Sequence, residues 1–237
     1  TGGVIGRPKT ATFRTADLVG LDTVIHITTN IAEALSGDQE RPAYTIPPFL
    51  LELVKRGWLG EKAGQGFYKR IKGTGGSEIL VLDYKTMEYR QQRPVAFPSL
   101  DMTQGIEEPV ERLRTLAYAD DRAGHYVWQL LRETLLYAAH RIPEVADDIV
   151  SVDQAMKWGF GWELGPFELW DALGVEQASA RMAQEGKALA PLVTMLLQSG
   201  TDSFYRREAG RQYAFDLGAA KQVEIPERPG IIHLRTL

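Results

Sequence analysis

The chain has 237 residues, no cysteine and a net charge of −4 at neutral pH. This composition excludes disulfides and thiolate metal sites, and it gives no general attraction to nucleic acid. No apolar segment reaches the length of about 18 residues that a membrane-spanning helix needs. We therefore expect a globular cytoplasmic protein with no nucleic acid partner and no transmembrane segment, large enough for one large or two small domains.

The first half of the chain is predicted to be mostly helical. Apolar residues recur at helical spacing over residues 23–35 and 48–56, and Gly57 caps the second of these helices. Residues 78–91 instead predict one small antiparallel hairpin. The glycine-rich residues 73–77 before it lack the Gly-Lys-Ser/Thr ending of a phosphate loop, so we expect a flexible connection that follows no strand. Residues 93–99 are expected to form an extended linker.

The second half of the chain shows helical patterns throughout. Ser151 begins a capping box, which predicts a helix from there to about Trp158. Gly165-Pro166 begins another helix, with proline in the first turn where its missing N–H costs nothing. The other predicted helices cover residues 108–118, 121–141, 175–185 and 189–199. The fold class is therefore mainly α.

An internal repeat appears when Phe13 is aligned with Phe167. The sequence FRTADLVGLD then faces FELWDALGVE, and further along PFLLELVKRG faces PLVTMLLQSG. Two matches in the same order indicate a duplicated helical-bundle unit. The alignment pairs Asp17 with Asp171 and Gly20 with Gly174, and each aspartate is expected to accept N–H groups from its neighbouring glycine turn, a ligand role being the lesser alternative.

The repeat predicts the domain organisation. The first repeat covers residues 1–95, is truncated before its long helix and contains the hairpin. The second repeat covers residues 96–222, and residues 223–237 are expected to lead into a following domain. Because the first repeat opens so close to its own glycine corner, the chain is expected to be a fragment of a larger protein.

No residue of the chain is predicted to be catalytic or to bind a metal or a cofactor. None of the four histidines has a partner at metal-ligand spacing, and no G-x-S-x-G elbow occurs. The glycines at 159, 161 and 165 have the wrong spacing for a dinucleotide fingerprint. The same stretch, KWGFGWELGPFELWDALG, is rich in aromatic residues, which is typical of either a binding pocket or a hard corner between helices.

Three separated motifs carry a family resemblance. TGGVIGRPKTATFRTADLVGLDT, LVKRGWLGEKAGQGFYKR and DDIVSVDQAMKWGFGWELGPFELWDALG resemble the C-terminal domain of 3-hydroxyacyl-CoA dehydrogenases, present here as two copies. This resemblance implies the 6-phosphogluconate dehydrogenase C-terminal-like helical fold. It also implies a place in a multifunctional protein of fatty-acid β-oxidation, in which an enoyl-CoA hydratase domain can follow.

The resemblance implies an activity that this chain cannot perform alone. Family members oxidise an L-3-hydroxyacyl-CoA to the 3-ketoacyl-CoA with NAD, which is bound by an N-terminal Rossmann domain that carries the catalytic His–Glu pair. A further active-site Asn belongs to the long helix of the first copy. In the second copy Trp128 stands at that position, so the chain alone is expected to be inactive.

The roles that remain for this chain are expected to be lining the acyl-CoA pocket, supporting the nucleotide-binding domain and mediating contacts between the subunits of a homodimer. The resemblance assigns the contact with the substrate first to Trp158, and Phe160 and Trp162 are expected to line the same side of the pocket. The alternative is a non-enzymatic helical module that keeps the fold for dimerisation or scaffolding.

Overall fold

The computed structural model describes residues 1–35, 41–73 and 76–226. In these residues the chain forms ten α-helices and two three-stranded sheets, so the mainly α prediction is confirmed. The chain divides into two units. We call Lys9–Val95 the N-terminal unit, and Thr1–Pro8 together with the residues from Ala96 onward the C-terminal unit. No described helix is both long enough and apolar enough to cross a membrane.

The N-terminal unit consists of three helices followed by a sheet. The predictions for the second and third helices are confirmed to within two residues at either end. The helices are α1 (Ala11–Val19), α2 (Leu21–Ala34) and α3 (Pro48–Lys55), and the strands are β1 (Tyr68–Gly73), β2 (Gly76–Asp83) and β3 (Glu88–Gln91).

The sheet of this unit is larger than the predicted hairpin. Strands β2 and β3 form that hairpin, with Leu82 opposite Tyr89. Strand β1 was not predicted, because its basic sequence hides the alternation of a strand, and it pairs antiparallel with β2. The glycine-rich segment therefore does follow a strand. Gly73 and Gly76 are paired across β1 and β2, and residues 74–75 of the expected flexible connection lie outside the described residues.

The C-terminal unit contains seven helices and the second sheet. The helices are α4 (Pro98–Met102), α5 (Pro109–Ala117), α6 (Arg122–His140), α7 (Ile149–Phe160), α8 (Pro166–Leu173), α9 (Val175–Gln184) and α10 (Pro191–Gln198). The strands are β4 (Tyr205–Glu208), β5 (Arg211–Asp216) and β6 (Lys221–Glu224), joined antiparallel in that order.

Two features of this unit differ from the prediction. Helix α4 begins at Pro98, inside the expected linker, because proline suits the first helical turn. The second sheet was missed because its strands are short and largely polar. Of the residues expected to lead into a following domain, 227–237 lie outside the described residues.

The core of the C-terminal unit surrounds α6. Helices α5, α8 and α10 contact it, and its buried residues, among them Val127, Leu131 and Leu135, recur at helical spacing. The largest side chains that are less than 2% exposed in this core are Phe167, Trp170, Phe204 and Phe215. Helix α8 contributes two of these rings, which fixes the position of the helix that follows the aromatic corner.

The duplication predicted from the sequence is confirmed by the order of elements. Helices α8, α9 and α10 with the second sheet repeat helices α1, α2 and α3 with the first. Gly20 separates α1 from α2 with φ 99° and ψ 127°, and Gly174 separates α8 from α9 with φ 87° and ψ 111°. Only glycine adopts this conformation readily, so the shared glycine is explained by the backbone of the tight turn.

The two repeated aspartates join each helical layer to its sheet. Their predicted partners were wrong, since both carboxylates accept N–H groups from the start of the sheet and not from the glycine turn. Asp17 accepts from Phe67 (2.8 Å) and Tyr68 (2.9 Å), and Asp171 accepts from Phe204 (2.7 Å) and Tyr205 (2.9 Å). Donors 33 to 51 residues further along the chain cannot be recognised from local spacing.

Candidate functional site

The candidate site is the glycine corner, residues 159–165, which joins α7 to α8. Helix α7 begins two residues before the predicted start, because Asp148 and not Ser151 is its N-cap; the Asp148 carboxylate accepts the Ser151 N–H at 2.7 Å. The helix ends at Gly161, whose left-handed conformation (φ 65°, ψ 32°) turns the chain toward α8. The corner therefore presents the aromatic residues at the end of a rigid helix.

The three predicted site residues lie in different environments. Trp158 is 67% exposed and Phe160 is 64% exposed, which is unusual for large aromatic side chains. Trp162 is partly buried, and the guanidinium of Arg7 lies 4.0 Å from the centre of its ring. The first two residues thus offer apolar surface, whereas one face of Trp162 is already covered.

The segment Thr1–Pro8 packs onto the glycine corner. The Glu163 N–H donates to the Gly6 carbonyl oxygen at 2.8 Å, and Arg112 Nε donates to the Val4 carbonyl oxygen at 3.1 Å. Ile5 is buried in the core of the same unit. Gly6 has φ 69° and ψ 28°, nearly the conformation of Gly161, although the alignment of the repeats pairs Gly6 with Phe160 and is one position out of step with these two glycines.

Arg7 and Tyr126 were missed by the sequence analysis. Burial lowers the pKa of the Arg7 guanidinium, and the electrostatic interaction with the nearby Tyr126 raises it in part. Tyr126 lies on α6 and is 54% exposed. No sequence signal connects these residues, because Arg7 lies more than 100 positions from both Tyr126 and Trp162.

Two carboxylates, the buried Asp153 and the partly buried Asp171, lie beside a cavity of about 420 Å³ in the same unit. Asp153 accepts the Phe167 N–H at 2.9 Å and the Tyr205 hydroxyl at 2.9 Å, and Asp171 holds the start of β4. Burial raises the pKa of both carboxyl groups to about 7, outweighing their hydrogen bonds. Because their oxygens are used by backbone and tyrosine donors, we assign these aspartates to structure.

A family model confirms the resemblance found in the sequence. The model of the 3-hydroxyacyl-CoA dehydrogenase C-terminal domain matches residues 4–70 and 124–207. The chain belongs to this family. The two matches fall on the two repeated halves, and the second includes α7 in full and α6 from Gly124 onward.

Relatives of known name agree with this family. A Bacillus subtilis protein named as a 3-hydroxyacyl-CoA dehydrogenase is 42% identical over 237 residues, which is all of this chain and 29% of that protein. A Rickettsia felis protein named as a trifunctional enzyme of a fatty acid oxidation complex is 29% identical over 168 residues, 70% of this chain and 22% of that protein. The chain therefore spans less than a third of the length of these relatives.

The 3-hydroxyacyl-CoA dehydrogenase resemblance placed Trp128 where the first copy has its active-site Asn. The structure buries this side chain at 2% exposure. Its ring Nε1–H donates to the Glu185 carboxylate at 2.8 Å and 3.0 Å, and the Arg181 guanidinium lies 4.2 Å from the ring centre. A side chain held in this way braces α6 against the residues after α9, and it presents no polar group to a substrate.

3-Hydroxyacyl-CoA dehydrogenases are NAD-dependent in general. The described residues of this chain do not form the kind of site that binds NAD. Both described sheets are antiparallel, so neither contains the parallel strand–helix–strand unit that binds a dinucleotide. The glycine corner joins two helices and follows no strand. Within residues 1–35, 41–73 and 76–226, no group of three His, Asp or Glu side chains could hold a metal ion.

Proposed function

We propose that this chain is the C-terminal, substrate-pocket and dimerisation region of an NAD-dependent L-3-hydroxyacyl-CoA dehydrogenase that oxidises 3-hydroxyacyl-CoA to 3-ketoacyl-CoA. The observation that carries the proposal is the pair of exposed aromatic rings, Trp158 and Phe160, at the corner that the family motif forms. Rigid aromatic surface beside water is suited to bind an acyl or pantetheine chain. The cytoplasmic location stays a prediction.

The longer protein is proposed to supply the catalytic groups and the NAD-binding domain. In the C-terminal unit Phe167 is fully buried in the core formed with α6, whereas its counterpart Phe13 in the N-terminal unit is 53% exposed. An exposed ring at a position that is buried in the repeat favours a covering segment from elsewhere in the longer protein. This chain alone is therefore proposed to have no turnover.

A multidomain parent is supported by the relatives. The Rickettsia proteins are named as trifunctional enzymes, which favours fusion with further activities, and we propose an enoyl-CoA hydratase domain as one of them. The alternative function, a helical dimerisation or scaffold module without catalysis, predicts that substitutions at the glycine corner leave substrate kinetics unchanged.

Replacing Trp158 with alanine in the longer protein tests the pocket proposal. We expect the KM for acetoacetyl-CoA to rise roughly tenfold with little change in kcat, because the ring contributes binding surface and no chemistry. Trp158→Phe should keep most of the affinity. Stability should change little, since the side chain is largely exposed.

The matched control is Tyr84→Ala, which removes an exposed aromatic ring from the N-terminal unit. Its KM should equal that of the unchanged protein. An unchanged KM in Trp158→Ala, or an equal rise in both variants, would contradict the proposal that the glycine corner lines the substrate pocket.

A further inference from the structure

A cavity of about 420 Å³ in the C-terminal unit has no role in the proposed function. Its volume lies in the range of about 300–1,000 Å³ that is usual for small-molecule sites. The lining residues on each helix recur at helical spacing, so α7 and α8 each turn one face toward the cavity. These residues are Val150, Asp153, Gln154 and Lys157 on α7, and Glu168, Asp171 and Ala172 on α8.

The second sheet turns one face of its strands toward the same cavity. Arg207 on β4 lies directly opposite Gln212 on β5, and both residues line the cavity. Opposite side chains of antiparallel strands stand on the same face, with Cβ atoms about 5 Å apart. Tyr205, two residues before Arg207, shares that face, and its hydroxyl donates to Asp153 of α7 at 2.9 Å. Arg207 and Gln212 therefore lie side by side on the face that is turned toward α7.

Arg207 is the unpaired cation among the described residues that line this cavity. Lys157 pairs with Glu168 at 2.5 Å, and Arg206 pairs with an acidic residue of its own strand at 3.2 Å. Neither the Arg207 guanidinium nor the side-chain amide of Gln212 has a partner within the part of the chain that the structure describes. Two neighbouring groups of N–H donors are therefore free to bind a ligand.

The carboxylates beside the cavity do not favour a cation. Each of the four oxygens of Asp153 and Asp171 already accepts a hydrogen bond. Burial raises the pKa of both carboxyl groups to about 7, so near neutral pH they carry only part of their negative charge. The Glu168 carboxylate is held by Lys157 and by the Gly165 N–H. Among the described lining residues, an anion therefore finds free donors, whereas a cation finds no free carboxylate.

We propose that this cavity binds a small carboxylate with an apolar body, and that the guanidinium fork of Arg207 and the amide of Gln212 hold the carboxylate. The planar guanidinium matches the two oxygens of a carboxylate, and one unpaired cation balances its single charge. The apolar body would contact the apolar lining residues, which are Val110, Val150, Leu164, Ala172 and Ile225. At about 30 Å³ per water molecule the cavity has room for roughly 14 waters, which corresponds to a ligand of about a dozen non-hydrogen atoms. The assignment does not depend on the proposed function.

Titration of this chain with 4-phenylbutyrate, a carboxylate of this size, tests the assignment. The matched neutral probe is 4-phenylbutyramide, which has the same apolar body without the charge. Backbone amide NMR of the chain gives the Kd of each probe and locates the residues that respond. We expect the carboxylate to bind at least about tenfold more tightly than the amide, with the shift changes concentrated in β4, β5 and the facing side of α7.

Four variants separate this site from general charge. Arg207→Gln should abolish the preference for the carboxylate, and Gln212→Leu should weaken carboxylate binding by a smaller factor. Val150→Phe places a ring in the cavity and should exclude both probes. Arg122→Gln is the matched control, because Arg122 is an exposed arginine of α6 that does not line the cavity, and it should bind as the unchanged chain does. The NMR spectrum of each variant without probe shows whether it is folded.

The assignment is overturned if the two probes bind equally, if neither binds, or if a folded Arg207→Gln binds the carboxylate as the unchanged chain does. Shift changes confined to residues outside the cavity would also contradict it. Inorganic phosphate at the same concentration should not displace 4-phenylbutyrate, because it offers nothing to the apolar lining. Displacement by phosphate would show a general anion site at Arg207 and reject the carboxylate class.

Discussion

Replacing Asp171 with alanine is expected to lower the free energy of unfolding of the C-terminal unit by about 2–5 kcal/mol. The carboxylate accepts the N–H groups of Phe204 and Tyr205, and Phe204 is fully buried. Without Asp171, both donors lose their acceptor at the point where α8 meets β4. Because each unsatisfied buried group costs about 1–3 kcal/mol, this loss should exceed that of most single substitutions.

Urea unfolding followed by tryptophan fluorescence measures this effect, because four of the five tryptophans lie in the C-terminal unit. The control is Asp202→Ala, an exposed aspartate near the same strand, which should change stability by no more than about 0.5 kcal/mol. Equal stability of the two variants would show that the hydrogen bonds of Asp171 do not hold the sheet.

The stability contribution of Asp171 should also depend on pH. Burial raises its pKa from the usual 3.8 to about 7, so the folded state binds a proton more tightly than the unfolded state does. The resulting stabilisation is complete below about pH 4 and is lost as the pH rises toward 7. The free energy of unfolding of the unchanged chain, minus that of Asp171→Asn, should therefore fall from pH 5 to pH 8.

Gly165→Ala is expected to be the most damaging substitution at the glycine corner, with a loss of about 3 kcal/mol. A Cβ atom on Gly165 would overlap Cα, Cβ and Cγ of Asp153. Asp153 cannot move aside without breaking its hydrogen bonds to the Phe167 N–H and the Tyr205 hydroxyl. The cost comes from this close approach, since the backbone of Gly165 is in an ordinary extended conformation.

Gly159→Ala is the matched control for this substitution. Gly159 lies inside α7, and nothing would lie within 4 Å of an added Cβ. Alanine is favoured over glycine in helices by about 1 kcal/mol, so this variant should be as stable as the unchanged chain or more so. The Tm of Gly165→Ala should fall, and that of Gly159→Ala should stay the same or rise. A similar fall in both would point to helix disruption and not to the contact with Asp153.

The helices were predicted well because their signals are local. The spacing of apolar residues located α6, and Pro166 marked the start of α8. Both sheets depend instead on pairing over longer distances, and the polar sequences of β1 and β4 carry no alternation to reveal it. The internal repeat supplied what local patterns could not, because matched stretches pointed to one unit used twice.

The candidate site was predicted only in part. The motif located the glycine corner, whereas the exposure of Trp158 and Phe160 is known only from the structure and their contact with a substrate stays a prediction. It did not reveal that Arg7 covers Trp162, since that contact joins residues 155 positions apart in a segment with no periodic pattern. The roles of Asp17 and Asp171 were predicted as structural, but their donors could be identified only from the folded backbone.

NADH oxidation with acetoacetyl-CoA, measured for the longer protein and for this chain alone, tests the proposed function most directly. The longer protein should oxidise NADH, and this chain should give no rate above background, because its described residues supply neither an NAD site nor an active-site amide at Trp128. A folded longer protein without activity would favour the scaffold module. Turnover by this chain alone would contradict the assignment of catalysis to the rest of the protein.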